Sequence, residues 1–182
     1  MDDALVRKVK KVKAIFCDVD GILTDGTIYV GPDHYELKRF SVNDGVGAAL
    51  ARLAGIPLAL ISGRHSEATV SRAEQMRITE VHQGSLNKTE PFRALLKKFE
   101  LEADEVVYIG DGWIDLPVME LAGVPVSVPD APDVVKDAAL YITRTKGGAG
   151  VLREVVEWVL DAQGRLDSIM AVMWQQIYKA EL

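Results

Sequence analysis

"AIFCDVDGILTDG" occupies residues 14–26, and its reading decides the fold. Ala14, Ile15, Phe16 and Cys17 run without interruption into Asp18, Asp20 and Asp25. A short unbroken apolar run closed by turn residues fits a strand covered on both faces, as in a parallel sheet. Carboxylates at the end of such a strand stand where open parallel sheets bind their ligands.

The same grammar recurs along the chain. "VKAIFCDV" (12–19), "PLALIS" (57–62), "ITEVHQ" (78–83), "EVVYIG" (105–110) and "VPVSV" (124–128) read as strands bounded by Gly, Pro or Asp. Helical patterns lie between them at about 44–54, 65–76, 88–99, 114–122 and 131–138. This β-α-β-α order predicts an α/β fold, a doubly wound parallel sheet with helices on both faces. No repeat or low-complexity linker divides it, so one domain is expected over 1–164. Two segments stand outside the alternation. "TIYVGPDHYELKRF" (27–40) has two strand-like arms around Gly31, Pro32 and Asp33 and reads as a β-hairpin. In the tail, 165–182, Leu166, Ile169, Met170, Met173, Trp174 and Ile177 recur at helical spacing. That stripe needs a cover, supplied either by its own domain or by another subunit.

Composition removes several classes of function. The formal net charge is −6 and no basic stripe follows a predicted face, which argues against nucleic acid as a partner. The basic cluster "RKVKKVK" (7–13) reads as a surface cap on the first strand. The single cysteine, Cys17, permits no intrachain disulfide and reads as a small core residue. The first thirty residues lack the apolar core of a signal peptide, and the longest apolar stretch, 46–61, is broken by Arg52, Gly55 and Pro57. No membrane span and a cytoplasmic location are expected.

Polar residues collect at the predicted strand ends. Asp18 and Asp20 end the first strand, Ser62 ends the second in "LISGR", and Asp111 ends the fourth in "YIGDGWID", with Asp115 shortly after. Lys88 opens the helix that follows "QGSLN". Two carboxylates about 4 Å apart repel by roughly 4 kcal/mol at an effective dielectric near 20. A hard divalent cation removes that cost, and Mg2+ suits a few carboxylate or carbonyl oxygens with water and phosphate in its other positions. Asp18 and Asp111 are the natural ligands, with the backbone carbonyl of Asp20 as a third. Zn2+ fits poorly, since His34, His65 and His82 show no paired spacing and there is one thiol. A serine hydrolase fits no better, because Ser62 lies in S-G-R rather than in a G-x-S-x-G elbow.

Taken in order, D-x-D-G-x-x-T (Asp18, Asp20, Gly21, Thr24), S-G-R (62–64), Lys88 and G-D-x-x-x-D (110–115) resemble the signature of the haloacid dehalogenase-like phosphohydrolases. The resemblance spans nearly the whole chain and extends to "ELKRFSVNDGVG" (36–47), "HQGSLNK" (82–88), "GGAGVLREV" (147–155) and "AQGRL" (162–166). It implies a capless member in which the hairpin replaces a lid domain, assembled as a homotetramer through that hairpin, with the tail reaching a neighbouring active site. By this likeness Asp18 is the nucleophile, and Asp20 is first the acid and then the base. Lys88 neutralises charge, and Ser62, Gly63, Arg64, Thr24 and Asp44 bind phosphate or substrate. Mg2+ would be held by Asp18, Asp20 and Asp111 with Asp115 in support. The implied activity is Mg2+-dependent hydrolysis of an acidic keto-deoxy sugar phosphate, in the first instance 3-deoxy-D-manno-octulosonate 8-phosphate. A nonulosonate 9-phosphate is the neighbouring substrate, and a catalytically silent oligomerisation domain is the rival from another class, although such a module has no reason to keep Asp18, Asp20, Lys88 and Asp111 together. Three positions depart from the pattern. Gly112 follows Asp111 where relatives place a second aspartate, which implies weaker Mg2+ binding. Asn43 replaces a basic residue, and Val46 an aromatic one.

Overall fold

The computed structural model describes residues 3–179. Its centre is a six-stranded, all-parallel sheet in the order β5-β4-β1-β6-β7-β8, where β1 is Ala14–Cys17, β4 Leu58–Ser62, β5 Glu80–Gln83, β6 Val106–Ile109, β7 Val124–Ser127 and β8 Tyr141–Ile142. The chain winds outward in one direction through β4 and β5 and in the other through β6, β7 and β8, so the strand order reverses at β1. Every residue of β1, β6 and β7 is buried, which is what an unbroken apolar run requires in a sheet covered on both sides.

The helices are α1 (Asp3–Lys10), α2 (Val42–Ala54), α3 (Glu67–Met76), α4 (Thr89–Phe99), α5 (Leu116–Met119), α6 (Asp133–Asp137), α7 (Val151–Ala162) and α8 (Leu166–Lys179). Helices α1, α2, α7 and α8 pack against one another, and α4 packs against α5. Phe92 of α4 stands edge-on to both Phe16 of β1 and Tyr108 of β6, with ring centroids 5.9 and 6.2 Å apart, and so fixes α4 across the two strands that flank the switch point.

The doubly wound sheet expected from the sequence is present, with three additions. "RKVKKVK" belongs largely to helix α1, whose Val9 is buried while Lys8, Lys10 and Lys11 face solvent, so it is not simply a cap on the strand. Strand β8 is two residues long, too short for a periodicity to register. Helix α7 is more deeply buried than an ordinary surface helix: Val151, Leu152, Val155, Val156, Val159 and Leu160 are all inside.

The hairpin is β2 (Ile28–Val30) paired antiparallel with β3 (Glu36–Lys38) as a separate two-stranded sheet. Its turn runs through the 3-10 segment Pro32–His34, with Asp33 in the left-handed region. The side chain of His34 lies outside the described residues. The apolar stripe of α8 divides in two. Leu166, Ile169 and Met173 pack on the core of the chain, whereas Met170, Trp174 and Ile177 are substantially exposed. Among the described residues no helix is long and apolar enough to cross a membrane.

Candidate active site

The loop after β1 is a tight backbone knot. The N–H groups of Ile22, Leu23 and Thr24 all converge on the carbonyl of Val19, and the buried Thr24 hydroxyl accepts from the N–H of Gly21 and Gly26. Gly21 has φ +90, and a Cβ there would stand 2.0 Å from Oδ2 of Asp111, so neither the conformation nor the space admits a side chain. The knot presents Asp18 at the carboxyl edge of the sheet. The Asp18 N–H extends the β1–β6 ladder to the carbonyl of Ile109, and its Oδ1 accepts from the N–H of Val19 at 2.6 Å.

Lys88, at the N-cap of α4, reaches this edge with a fully buried side chain. Its Nζ lies 2.7 Å from Oδ2 of Asp18 and donates to Oδ1 of Asp115 at 2.8 Å. Asp115 commits both oxygens. Oδ1 also accepts from the Tyr108 hydroxyl at 2.6 Å, and Oδ2 accepts from the N–H groups of Asp111 and Gly112 at 3.2 and 2.9 Å. Asp115 therefore locks the Asp111 loop and the Lys88 ammonium in one frame. Gly112 takes part through its backbone, so the lock holds without a side chain at that position.

Carboxylate oxygens of Asp18, Asp111 and Asp115 lie within 4.8 Å of one another, and among the described residues Oδ1 of Asp111 is buried without a hydrogen-bond partner. Burial raises the Asp111 pKa to about 7, and the charges of Asp18 and Asp115 push it the same way. Burial likewise raises Asp18 to about 7, against the pull of Lys88 and with the help of Asp115. Burial by itself would lower the Lys88 pKa, but the two carboxylates outweigh it and hold the ammonium above its usual value. An acidic cluster with an orphaned oxygen and one ammonium is short of positive charge. It fits a divalent cation at Asp18 and Asp111, with Asp115, already saturated, supporting it from behind.

The other expected residues divide. Ser62, at the end of β4, is buried and its Oγ accepts from the Arg64 N–H at 3.2 Å. At Gly63 a Cβ would press on Ile114 and Leu86, so its backbone approaches the neighbouring loops closely. The Arg64 guanidinium pairs with Glu36 of the hairpin at 3.0 Å and lies 4.0 Å from Asp20. Asp20 itself is held by Lys38 of β3, whose buried Nζ is 2.7 and 2.9 Å from its two oxygens. Two other expected residues are engaged by their own chain. Thr24 is fully buried and its hydroxyl accepts from the backbone of its own loop, which it shapes. Asp44 is buried in α2, where its Oδ1 accepts from the N–H of Leu152 at the start of α7, because two helices meet there and the second needs a cap. Asn43 accepts from Arg153 of α7, and Val46 packs on the core, so these two departures touch helix packing in their own chain. His65 is exposed beside Glu67, and Cys17 is buried as expected. Sequence reasoning missed Tyr108 and Lys38. An aromatic inside "VVYI" looks like core, which most of Tyr108 is, and Lys38 looks like the polar member of an alternating strand.

A doubly wound sheet with a D-x-D knot after its first strand, a serine after the next and a buried lysine facing a G-D-x-x-x-D loop defines a phosphoryl-handling site. A profile of haloacid dehalogenase-like hydrolases matches residues 59–155, and the chain belongs to that family. It is 41% identical over 163 residues to the 3-deoxy-D-manno-octulosonate 8-phosphate phosphatase of Escherichia coli strain K12, covering 90% of this chain and 87% of that protein. Among solved structures it is similar to the phosphatase of that name from Moraxella catarrhalis, in complex with magnesium ion, phosphate ion and KDO (TM-score 0.91, 36% identity, 95% of this chain and 99% of that one). The cobalt-bound form of the Haemophilus influenzae enzyme is also similar (TM-score 0.84, 35% identity, 87% and 93%).

Proposed function

We propose that this chain is a Mg2+-dependent phosphomonoesterase that hydrolyses 3-deoxy-D-manno-octulosonate 8-phosphate through an aspartyl-phosphate on Asp18. The observation that carries the reading is Asp18 itself: a carboxylate at the switch point, 2.7 Å from a buried ammonium and within 4.8 Å of the Asp111 and Asp115 oxygens. That is a nucleophile surrounded by the means to receive an anion.

On this reading each residue takes the following role. An Asp18 oxygen attacks phosphorus and the bond to the sugar oxygen breaks. Asp20, two residues on, gives its proton to the departing alkoxide and later takes one from the water that cleaves the aspartyl-phosphate. Lys88 neutralises charge shared between Asp18 and the transferring group. Ser62 and the Gly63 backbone would bind the phosphoryl oxygens, and Arg64 is suited to a substrate carboxylate because a guanidinium can bind it in two places. When bound by Asp18, Asp111 and the Asp20 carbonyl, Mg2+ supplies the positive charge that lets a carboxylate approach a phosphate dianion. The likeness to a structure that holds magnesium, phosphate and KDO supports both metal and substrate. A cytoplasmic homotetramer, assembled through the hairpin and the tail 165–182, is the proposed state. It is supported by the exposure of Tyr29, Val30, Tyr35 and Leu37 on the hairpin and of Met170, Trp174 and Ile177 on α8.

The test is phosphate release from a panel of sugar phosphates that includes the octulosonate and nonulosonate esters. The octulosonate ester should show the highest kcat/KM, Asp18→Asn should lose at least ~10³-fold of it as expected for a covalent nucleophile, and EDTA should stop turnover until Mg2+ is restored. Activity retained in Asp18→Asn, or indifference to chelation and Mg2+, overturns the assignment.

A further inference from the structure

Lys38 lies outside the phosphate site, yet its surroundings tie it to the chemistry. The residue ends β3, the second arm of the hairpin, and its side chain is wholly removed from solvent. A lysine loses much side-chain freedom and hydration by being buried, so it stays ionised there only with partners. Those partners are the two oxygens of Asp20, at 2.7 and 2.9 Å, and Glu36 of the same strand at 3.7 Å. Glu36 in turn binds Arg64, whose Nε lies 4.0 Å from Asp20. Asp20 is thus gripped from the hairpin side, while its backbone belongs to the knot after β1. Among the described residues, the hydrogen bonds and ion pairs of the Asp20 side chain run to Lys38 and Arg64.

On the phosphatase reading above, we infer that Lys38 is a positioning residue for the general acid: the hairpin aims Asp20 at the leaving oxygen by way of the Lys38 ammonium. A carboxyl on a single χ1–χ2 pair can swing away from a leaving group, and a displacement of about 1 Å in a proton-transfer partner can cost about a hundredfold in rate. The hairpin is then part of the catalytic frame, and β2–β3 pairing matters to the reaction because it sets where Nζ stands.

The inference separates two kinds of substrate. A sugar alkoxide is a poor leaving group and needs the proton that Asp20 delivers; 4-nitrophenolate leaves without it. The constant kcat/KM reports the steps up to transfer of the phosphoryl group to Asp18, whereas kcat also contains hydrolysis of the aspartyl-phosphate, for which Asp20 acts as base. In the full-length protein with Mg2+, Lys38→Met should therefore lower kcat/KM for the octulosonate 8-phosphate by about 10- to 100-fold, a share of what general acid catalysis supplies. For 4-nitrophenyl phosphate, kcat/KM should change less than about threefold while kcat and KM fall together, with phosphorylated enzyme accumulating in acid-quenched samples. Lys38→Arg, which keeps the charge, should recover part of the sugar phosphate rate. Equal losses in kcat/KM on both substrates, or no loss on either, would overturn the inference. If Lys38→Met does not fold, Lys38→Gln and Lys38→Arg carry the same comparison between substrates. Asp18→Asn, run alongside, separates the two claims: activity there on either ester refutes the nucleophile, whatever Lys38 does.

Discussion

Asp44 and Asp115 are both buried carboxylates next to helix or turn N–H groups, yet they live under different electrostatic conditions. Asp115 has an ammonium, a phenol and two N–H groups on its oxygens. Asp44 has the Leu152 N–H on Oδ1 and, among the described residues, no hydrogen-bond partner for Oδ2, and burial raises its pKa to about 6 from 3.8 despite the Leu152 hydrogen bond, the nearby Arg72 and the Arg153 backbone. A carboxyl whose pKa is higher in the folded chain binds protons more tightly there, so its contribution to stability is complete below pH about 4 and is lost as the pH rises through about 6. Asp44→Asn keeps an oxygen to cap α7 and removes the ionisation. At pH 7.5 it should therefore be more stable than the parent by roughly 1–3 kcal/mol, and near pH 4 the two should converge. Asp18 and Asp111 titrate in both proteins, so the difference between their unfolding free energies isolates position 44. A difference that does not change between pH 4 and 7.5 would refute this account. None of it is legible in the sequence, where Asp44 enters only as a substrate-binding residue implied by the family resemblance. The partner, Leu152, lies 108 residues away in a helix outside the predicted helical patterns.

At the scale of elements, the packing of α2 on α7 depends on one missing side chain. A Cβ on Gly47 would stand 2.6 Å from Cα and 2.7 Å from N of Arg153, both backbone atoms that cannot step aside. In an ordinary helix interior, glycine to alanine stabilises by roughly 0.5–1 kcal/mol. Here the sign should reverse, with Gly47→Ala costing about 1–3 kcal/mol as α7 is pushed from its seat. Urea unfolding monitored by circular dichroism decides it, and an unchanged or higher midpoint refutes the close approach. Strands β1, β4, β6 and β7 were readable because burial on both faces leaves an unbroken apolar run between turn residues. The convergence of Asp18, Lys88 and Asp111 at one edge was readable because the first and last end such runs and Lys88 opens the helix that follows another. What escaped was whatever depends on a long-range partner: α1, which looks like a charged lead-in until Val9 finds the core; β8, two residues added to a finished sheet; Tyr108, whose hydroxyl matters only once Asp115 is beside it; and Lys38, whose partner comes from another loop.

At the scale of the whole molecule, the two sides of α8 meet different surroundings. Leu166, Ile169 and Met173 of α8 pack on the chain's own core, and Arg165 anchors the helix start by donating to the carbonyl of Ala54. The other side of α8 leaves Met170 and Ile177 substantially exposed, 37% and 51%, in a protein whose hairpin carries four more exposed apolar residues. Solitary apolar residues on a surface need no cover, but two sets of them suit the subunit contact proposed above. Ending the chain after Gly164 removes both sides at once, so it should lower the thermal midpoint and reduce the mass in solution together. Met170→Glu with Ile177→Glu keeps the home-facing residues and charges only the outer face. That double variant should hold its thermal midpoint at low protein concentration to within a few degrees, since surface substitutions rarely change stability by more than about 0.5 kcal/mol. Light scattering should nonetheless show a smaller particle than the parent. A parent and double variant of identical mass would mean that α8 serves only its own domain, and that any assembly runs through the hairpin.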